Sequence, residues 1–108
     1  MKVMSFNCKG LVGPPKISAL KRVVSLERPD VLLLQETMGG GDEVKLKLES
    51  WFSSWHFEAL DVKGRSGGLA VGWDEINVKV LNIWGMDSVL GMTVSTIDLG
   101  EDFTLINI

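Results

Sequence analysis

The spacing of apolar residues predicts a strand, a helix and a second strand at the start of the chain. Val3–Asn7 has β-compatible residues, and the glycines and prolines of residues 9–15 predict a loop after it. From Pro15, apolar residues recur at helical spacing up to the turn at Pro29. These residues are Ile17, Leu20, Val23, Val24 and Leu26. Residues 31–34 form an uninterrupted apolar run, which is typical of a strand covered on both faces in a parallel sheet.

A strand, a helix and a buried strand in this order form a βαβ unit. In such a unit the two strands run parallel, and their carboxyl ends lie at the same edge of the sheet. Asn7 and Glu36 stand at these two ends. Because ligands of open α/β sheets bind beyond the carboxyl ends of the strands, both residues are candidates for a binding site.

The rest of the chain is predicted to contain one more helix and then strands. Asp42 is a favourable N-cap, and apolar residues follow it at helical spacing. They are Val44, Leu48, Trp51, Phe52 and Trp55. Alternating patterns predict strands over residues 57–62, 69–73, 78–84, 89–99 and 103–108, and the short turn-rich segments between them imply antiparallel pairing. Since the last run is apolar with no turn residue after it, we expect residues 1–108 to be a partial domain, truncated at its C-terminal end.

Composition places the chain among globular proteins. Of its 108 residues, 45% are hydrophobic and 23% are charged, which excludes a disordered or fibrous chain and fits one domain at most. The apolar run at residues 31–34 is far shorter than the roughly 20 residues that cross a bilayer, and the N-terminus has no signal pattern, so we expect no membrane partner. The single cysteine, Cys8, excludes an internal disulfide and favours a reducing intracellular compartment, nuclear or cytoplasmic.

Charge is distributed unevenly along the chain. The net charge is -3, which excludes a basic surface over the whole molecule. Residues 1–30 nevertheless carry six basic and two acidic side chains, whereas the remainder carries five basic and twelve acidic ones. If the chain faces a polyanion, it would do so through these early loops. A solvated helix face that carries lysines explains the same charges.

Glu36 is the first candidate for chemistry. A carboxylate that follows a buried strand suits Mg²⁺, which keeps several waters and is usually held by one or two carboxylates and substrate phosphate oxygens. An ordinary acidic loop residue is an equal alternative. The amide of Asn7 could donate to a phosphate oxygen or hold a metal-bound group, although turn capping would also explain it.

Four segments of the chain are recognisable together. MKVMSFNCKGL, RPDVLLLQET, GRSGGLAVGW and FTLINI resemble the endonuclease/exonuclease/phosphatase superfamily, which includes pancreatic deoxyribonuclease and the abasic-site endonucleases. The resemblance is closest to the endonuclease domain of plant LINE-type retrotransposons, whose openings have a similar asparagine-cysteine-basic-glycine-leucine phrase. It covers nearly the whole chain, and QET after a Pro-Asp-apolar strand is its most specific part.

The resemblance implies an α/β fold, the N-terminal half of a two-sheet α/β sandwich in which two helices flank a mixed sheet. Most of the partner sheet would be absent, which would leave an uncovered apolar face open to association. It also implies divalent-metal-dependent hydrolysis of phosphodiesters in nucleic acid, with DNA favoured over RNA. Glu36 would bind Mg²⁺, with Mn²⁺ as an alternative, and Asn7 would help to organise the phosphate and catalytic groups. Ser66, Gly67 and Gly68 match a phrase that leads a strand beside the active site, although a tight turn explains them equally well.

The chain departs from the superfamily in its catalytic half. Members continue past the strand that matches residues 105–108 into a tyrosine-containing loop, an aspartate-x-asparagine motif and an aspartate-histidine pair. This chain has no tyrosine, and its only histidine, His56, stands at a predicted helix-to-strand boundary. In the superfamily, the histidine and aspartate activate or position water while magnesium stabilises the charge at phosphorus. We therefore expect this chain to be inactive, or nearly so, unless another polypeptide completes it.

Two other functions stay open. The chain could be a non-catalytic remnant, or a small α/β module that binds a phosphorylated ligand at Glu36 without chemistry.

Cys8 has no histidine near it in sequence, so a buried thiol is a better interpretation than a nucleophile. The aromatic residues could stack on bases, but their periodicity favours core packing for most of them. These are Trp51, Phe52, Trp55, Trp73 and Trp84.

Overall fold

The chain folds into two stacked β-sheets, with two helices on the outer face of the first sheet. The computed structural model describes residues 1–11, 14–61 and 67–108. Its elements are β1 (Val3–Asn7), α1 (Pro14–Glu27), β2 (Val31–Gln35), α2 (Gly41–Trp51), β3 (Trp55–Leu60), β4 (Leu69–Asp74), β5 (Val78–Met86), β6 (Val89–Thr96) and β7 (Asp102–Asn107). The first sheet has the strand order β1-β2-β4-β3, and the second has the order β5-β6-β7. The predicted α/β class is confirmed.

The first sheet is mixed, as the sequence predicts. β1 and β2 are parallel, and β4 pairs antiparallel with both β2 and β3. β2 lies inside the sheet and is covered on both faces, which explains why its apolar run shows no alternation. Both helices pack on one face of this sheet. The buried residues of that helix-side core are Cys8, Leu11, Ile17, Leu20, Leu32, Leu34, Val44, Leu48, Phe52, Phe57 and Ala70.

The second sheet covers the opposite face, where the sequence predicted that most of the partner sheet would be missing. Three antiparallel strands are present there, and they bury a second core against β2 and β4. Its buried members are Val31, Leu69, Val71, Val78, Leu90, Met92 and Val94. The expectation of a largely uncovered face is therefore wrong. On the face away from the helices, β1 keeps exposed side chains at Val3, Ser5 and Asn7.

The end of α2 differs from the prediction. The helix ends at Trp51, and Trp55 opens β3 instead of extending the helix. Phe52 is extended at φ −120°, and Ser54 takes a left-handed φ of 65°, so the backbone turns away within three residues. The helical spacing of Trp55 is thus coincidental. Its ring packs against the helix-side core from the strand.

The start of α2 is capped from a distance. Asp42, which the sequence predicted as the N-cap, lies inside the first turn instead. Gly40 occupies the N-cap position without a side-chain cap, and the Gly41 N–H donates to Asp61 Oδ1 at 2.6 Å. A carboxylate 20 residues away therefore satisfies a helix donor that local sequence leaves unpaired.

Other boundaries move by a few residues. β6 ends at Thr96 and not at Leu99, because a turn follows Thr96. Gly100, at φ 65°, closes this turn, and the Gly100 N–H donates to the Thr96 carbonyl at 2.8 Å. β5 continues to Met86, and residues 62–66, which include the end of the predicted third strand, lie outside the described residues.

Neither α1 nor α2, the helices that the structure describes, has the length and apolar composition that crossing a membrane requires.

Candidate functional site

The carboxyl ends of β1 and β2 lie side by side, as the βαβ prediction requires. Asn7 is the register partner of Gln35, the last residue of β2. The backbone pairing continues past both strands, because the Gly10 N–H donates to the Glu36 carbonyl at 2.7 Å. The loop after β1 is thereby fixed against the loop after β2. Together the two loops form one rim of the first sheet.

Asn7 and Glu36 are in direct contact on this rim. Asn7 Nδ2 donates a hydrogen bond to Glu36 Oε2, and Asn7 Oδ1 accepts one from the Lys9 N–H at 3.0 Å. The amide is therefore held on both sides. Glu36 is half-buried and Asn7 is exposed, so a small ligand can reach both side chains. Two residues that are 29 positions apart in sequence share one site.

The backbone of this rim is strained. Lys9, Glu36 and Met38 all take left-handed φ values, of 48°, 51° and 51°. Each such non-glycine residue costs about 1 to 2 kcal/mol, so tertiary contacts must hold it in place. The Met38 N–H donates to the Gly67 carbonyl at 2.8 Å, and the Thr37 N–H donates to the Gly68 carbonyl at 3.2 Å. Backbone strain maintained in this way is typical of functional loops.

Gly68 makes the closest backbone approach at the rim. Its φ is 102°, and a Cβ at this position would lie 2.1 Å from Thr37 Oγ1. Only glycine fits this close approach between the two loops. Gly67 and Gly68 support the loop that carries Glu36. Ser66 lies outside the described residues.

The donor set at the rim fits a hard, hydrated cation. Asn7 occupies Oε2 of Glu36, and no described residue hydrogen-bonds to Oε1. Among the described residues, no three His, Cys, Asp or Glu side chains converge as a closed metal cage would require. A single carboxylate at an open position suits Mg²⁺ or Mn²⁺, which complete their coordination with water and phosphate oxygens, and does not suit a structural Zn²⁺ site.

Asn107 and Gln35 are the two residues beside the site that the sequence analysis missed. Gln35 Nε2 donates to Asn107 Oδ1 at 2.8 Å, and Asn107 is 1% exposed. A signal for Asn107 exists in the sequence. It stands in a strand whose alternation places it on the same face as Leu105, which packs against the inter-sheet core, and a polar residue there needs buried hydrogen-bond partners.

Comparison of the chain with known proteins gives matches in structure only. No protein-family profile and no curated protein sequence matches it. D. rerio TDP2 complexed with a single-strand DNA product superposes with a TM-score of 0.76 at 19% identity, over 98% of this chain and 44% of that one. The AP endonuclease LMAP from Leishmania major gives 0.70 at 22% identity, over 98% and 39%. The endonuclease/exonuclease/phosphatase from Bacteroides vulgatus gives 0.74 at 11% identity, over 98% and 51%.

This chain has the endonuclease/exonuclease/phosphatase fold. The matches cover nearly all of its residues but only about half, or less, of each matched chain. At these identities the similarity establishes the fold and leaves the activity open. It agrees with the superfamily that the sequence resembles, whereas a special closeness to plant retrotransposons stays a prediction.

His56 does not contribute to the rim of this endonuclease/exonuclease/phosphatase fold. In the strand register it stands level with Trp73, which pairs with Val31 at the start of β2. Glu36 follows the other end of β2, so the sheet separates the two side chains. His56 Nε2 contacts Glu75 Oε2 at 2.6 Å, and its ring lies against Trp73. The side chain of His56 is thus exposed, at the end of the sheet opposite Glu36.

Most of the aromatic residues pack in the cores, as predicted. Phe52 is buried, and Trp51 and Trp55 pack against the helix-side core. Trp73 packs against the core between the sheets. Trp84 belongs to neither core, and its ring lies against Gly91 of the adjacent strand β6.

Cys8 is a buried thiol, as the sequence predicts. Its side chain is 1% exposed, and burial raises the pKa of the thiol to about 11. The positive charge of Lys16 opposes this pKa shift, and the negative charge of Glu36 adds to it. A nucleophilic role for Cys8 has no support in this environment, because the thiolate is the reactive form.

Alkylation should report this burial. At pH 8 the native thiol, with a pKa of about 11 instead of the ordinary 9.0, contains about 100-fold less thiolate than the unfolded chain. We expect iodoacetamide to modify Cys8 at least about 100-fold more slowly in the native chain than in urea, with rates followed by mass spectrometry. Equal rates in the two states would contradict the buried position of Cys8.

Proposed function

We propose that the Asn7 and Glu36 rim is the metal-binding side of a site that hydrolyses phosphodiesters in nucleic acid. The contact between these two side chains carries the proposal, because it puts one carboxylate and one amide at the open edge of an endonuclease/exonuclease/phosphatase fold. Glu36 would hold Mg²⁺ or Mn²⁺. Asn7 would orient the carboxylate and the phosphate.

The metal would supply the electrostatic part of the chemistry. When bound, a divalent ion stabilises negative charge that develops on the phosphoryl oxygens and the leaving oxygen. The residues of this chain bind and orient. Asn7 Nδ2 fixes the Glu36 carboxylate, and the hydrogen bond from the Lys9 N–H fixes the Asn7 amide. The only histidine of the chain, His56, is at the other end of the sheet, so these 108 residues contain no histidine placed to activate water at the rim.

Nucleic acid is the proposed substrate. Two of the matched proteins support it by name, since one is complexed with a single-strand DNA product and the other is an AP endonuclease. The charge distribution of this chain also supports it. Lys9 lies on the rim and Lys16 lies close enough to Cys8 for its charge to act on the thiol; both lysines are exposed, and their ammonium groups are suited to phosphate contacts. DNA is the first candidate and RNA the second.

Lysine substitutions should change the salt dependence of binding. We expect Lys9→Ala and Lys16→Ala each to reduce the slope of log Kd against log salt by about 1, because each removes one phosphate contact. Fluorescence anisotropy of a labelled single-stranded oligonucleotide measures this slope. Lys79→Ala, an exposed lysine of β5 on the second sheet, is the matched control and should leave the slope unchanged.

A combined binding and cleavage assay tests the proposed function. We expect the purified chain to bind the oligonucleotide in Mg²⁺ or Mn²⁺, to lose this binding in EDTA or as Glu36→Gln, and to nick plasmid DNA at close to the background rate. Binding that is insensitive to both the chelator and the substitution would contradict the proposal. Inorganic phosphate that competes as well as the oligonucleotide would instead support a module for phosphorylated ligands, and the absence of any saturable metal response would support a non-catalytic remnant.

A further inference from the structure

Asn107 joins the two sheets directly behind the rim. It is the last residue of β7 and is 1% exposed. Its Nδ2 donates to the carbonyls of Leu34 in β2, at 3.0 Å, and of Ala70 in β4, at 2.9 Å. Its Oδ1 accepts from Gln35 Nε2 at 2.8 Å. One buried amide therefore contacts the last two residues of β2, immediately before Glu36.

The network continues from Gln35 to β1. Gln35 Nε2 also lies 2.9 Å from Ser5 Oγ and 3.1 Å from the Leu33 carbonyl. Ser5 stands two residues before Asn7. The side chains of Asn107 and Gln35 thus connect β7 to both strands that end at the rim, and no buried side-chain polar atom among the described residues is left without a partner.

Burial of the Asn107 amide costs desolvation free energy, which a role in packing alone does not explain. The nearest residue on the same face of the strand is Leu105, which packs against the inter-sheet core, and an apolar side chain at position 107 would fill the same space without desolvating an amide. A buried amide is stabilising only when its partners are held in good geometry, and it then fixes those partners in turn. Here the fixed partners are the backbone of Leu34 and the side chain of Gln35.

We propose that Asn107 is a positioning residue for the metal-binding rim. It holds the end of β2 so that Glu36 keeps its left-handed backbone, at φ 51°, and its contact with Asn7. The consequence for metal affinity rests on the proposed function. The consequence for the local order of the rim does not, and the two can be measured separately.

The experiment compares Asn107→Leu with Val78→Ala. Val78 belongs to the same inter-sheet core but opens β5 and pairs with Thr96, away from the network, so its truncation destabilises the core without touching the rim. Hydrogen exchange of the Gly10 and Met38 amides reports the rim, because these groups donate to the Glu36 and Gly67 carbonyls. Mn²⁺ affinity is measured by calorimetry on the same samples, at a temperature where both variants are folded.

We expect Asn107→Leu to accelerate exchange of both amides at least about 10-fold more than Val78→Ala does, when the two variants are compared at equal global stability. We also expect Asn107→Leu to weaken Mn²⁺ binding about 10- to 100-fold, which is the usual effect of losing a partner that orients a metal ligand. Exchange that follows global stability equally in the two variants would overturn the proposal. If the wild-type chain bound no Mn²⁺, the proposed function would fail, while the exchange comparison would still decide the positioning role.

A second variant covers the case in which Asn107→Leu does not fold. Asn107→Asp keeps an acceptor for Gln35 and loses the donations to Leu34 and Ala70. We expect the same local acceleration of exchange in this variant. If both variants failed to fold while Val78→Ala remained native, the role of the amide would be global, and the proposal would be overturned.

Discussion

Replacement of Gly68 by alanine is expected to destabilise the chain by about 3 kcal/mol, because two costs combine at this position. The left-handed φ of 102° is strained for any residue with a side chain, and the new Cβ would lie 2.1 Å from Thr37 Oγ1 and 3.1 Å from the Met38 nitrogen. Thr37 and Met38 would have to move, and they directly follow Glu36. The substitution should therefore reduce Mn²⁺ affinity as well as stability.

Gly100→Ala separates these two costs. Gly100 also has a positive φ, of 65°, but a Cβ added there would meet no atom within 4 Å beyond its chain neighbours, so alanine should cost only about 1 kcal/mol and leave metal binding unchanged. Urea unfolding measures the free energy of unfolding of both variants. Equal destabilisation by the two substitutions would show that the contact between Gly68 and Thr37 does not constrain the rim.

Substitution of Glu36 by glutamine is expected to remove the specific divalent-metal response. Loss of an outer partner of a metal ligand already lowers affinity about 10- to 100-fold, and loss of the proposed carboxylate ligand itself should exceed that. Glutamine can still accept the hydrogen bond from Asn7 Nδ2, so the melting temperature should stay within about 2 °C of wild type. Calorimetric titration with Mn²⁺ measures the affinity.

The control for this substitution is Glu75→Gln. Glu75 is an exposed carboxylate beside His56, at the opposite end of the sheet. Its loss removes one negative charge without altering the rim, so Mn²⁺ affinity should remain that of wild type. A Glu36→Gln variant that binds Mn²⁺ as well as the control would remove Glu36 from the metal site.

The chain order and the central strand could be predicted because they follow from local patterns. The unbroken apolar run of β2 requires cover on both faces, and a helix between two strands implies parallel pairing. From these two inferences the meeting of Asn7 and Glu36 follows without any knowledge of the tertiary structure. The location of this candidate site was therefore predictable.

Its detailed geometry was not predictable, because it depends on contacts distant in sequence. The left-handed φ of Glu36 is maintained through the hydrogen bonds of the next two residues to Gly67 and Gly68. The cap of α2 comes from Asp61, although Asp42 has the better local signal. In both cases a tertiary partner, invisible to a local pattern, decides the structure.

The packing of the second sheet on the first could not be predicted for a different reason. The sequence predicted its strands and their antiparallel pairing, but the resemblance to half of a two-sheet domain implied that one face of the first sheet would be mostly uncovered. Periodicity places Val78, Met92 and Val94 on the apolar side of their strands, yet it does not say which sheet they meet. Asn107 was overlooked for the same reason, since its partners in β2 and β4 are 73 and 37 residues away.

Paramagnetic broadening by Mn²⁺ in the ¹⁵N spectrum of the chain would show where the metal binds. If Asn7 and Glu36 form the metal-binding rim, substoichiometric Mn²⁺ should first broaden the amide signals of residues 7–10 and 35–38. The signals of residues 55–57 and 73–76, around His56 and Glu75 at the far end of the sheet, should persist. Broadening that began at the far end, or that spread evenly over the chain, would contradict the account.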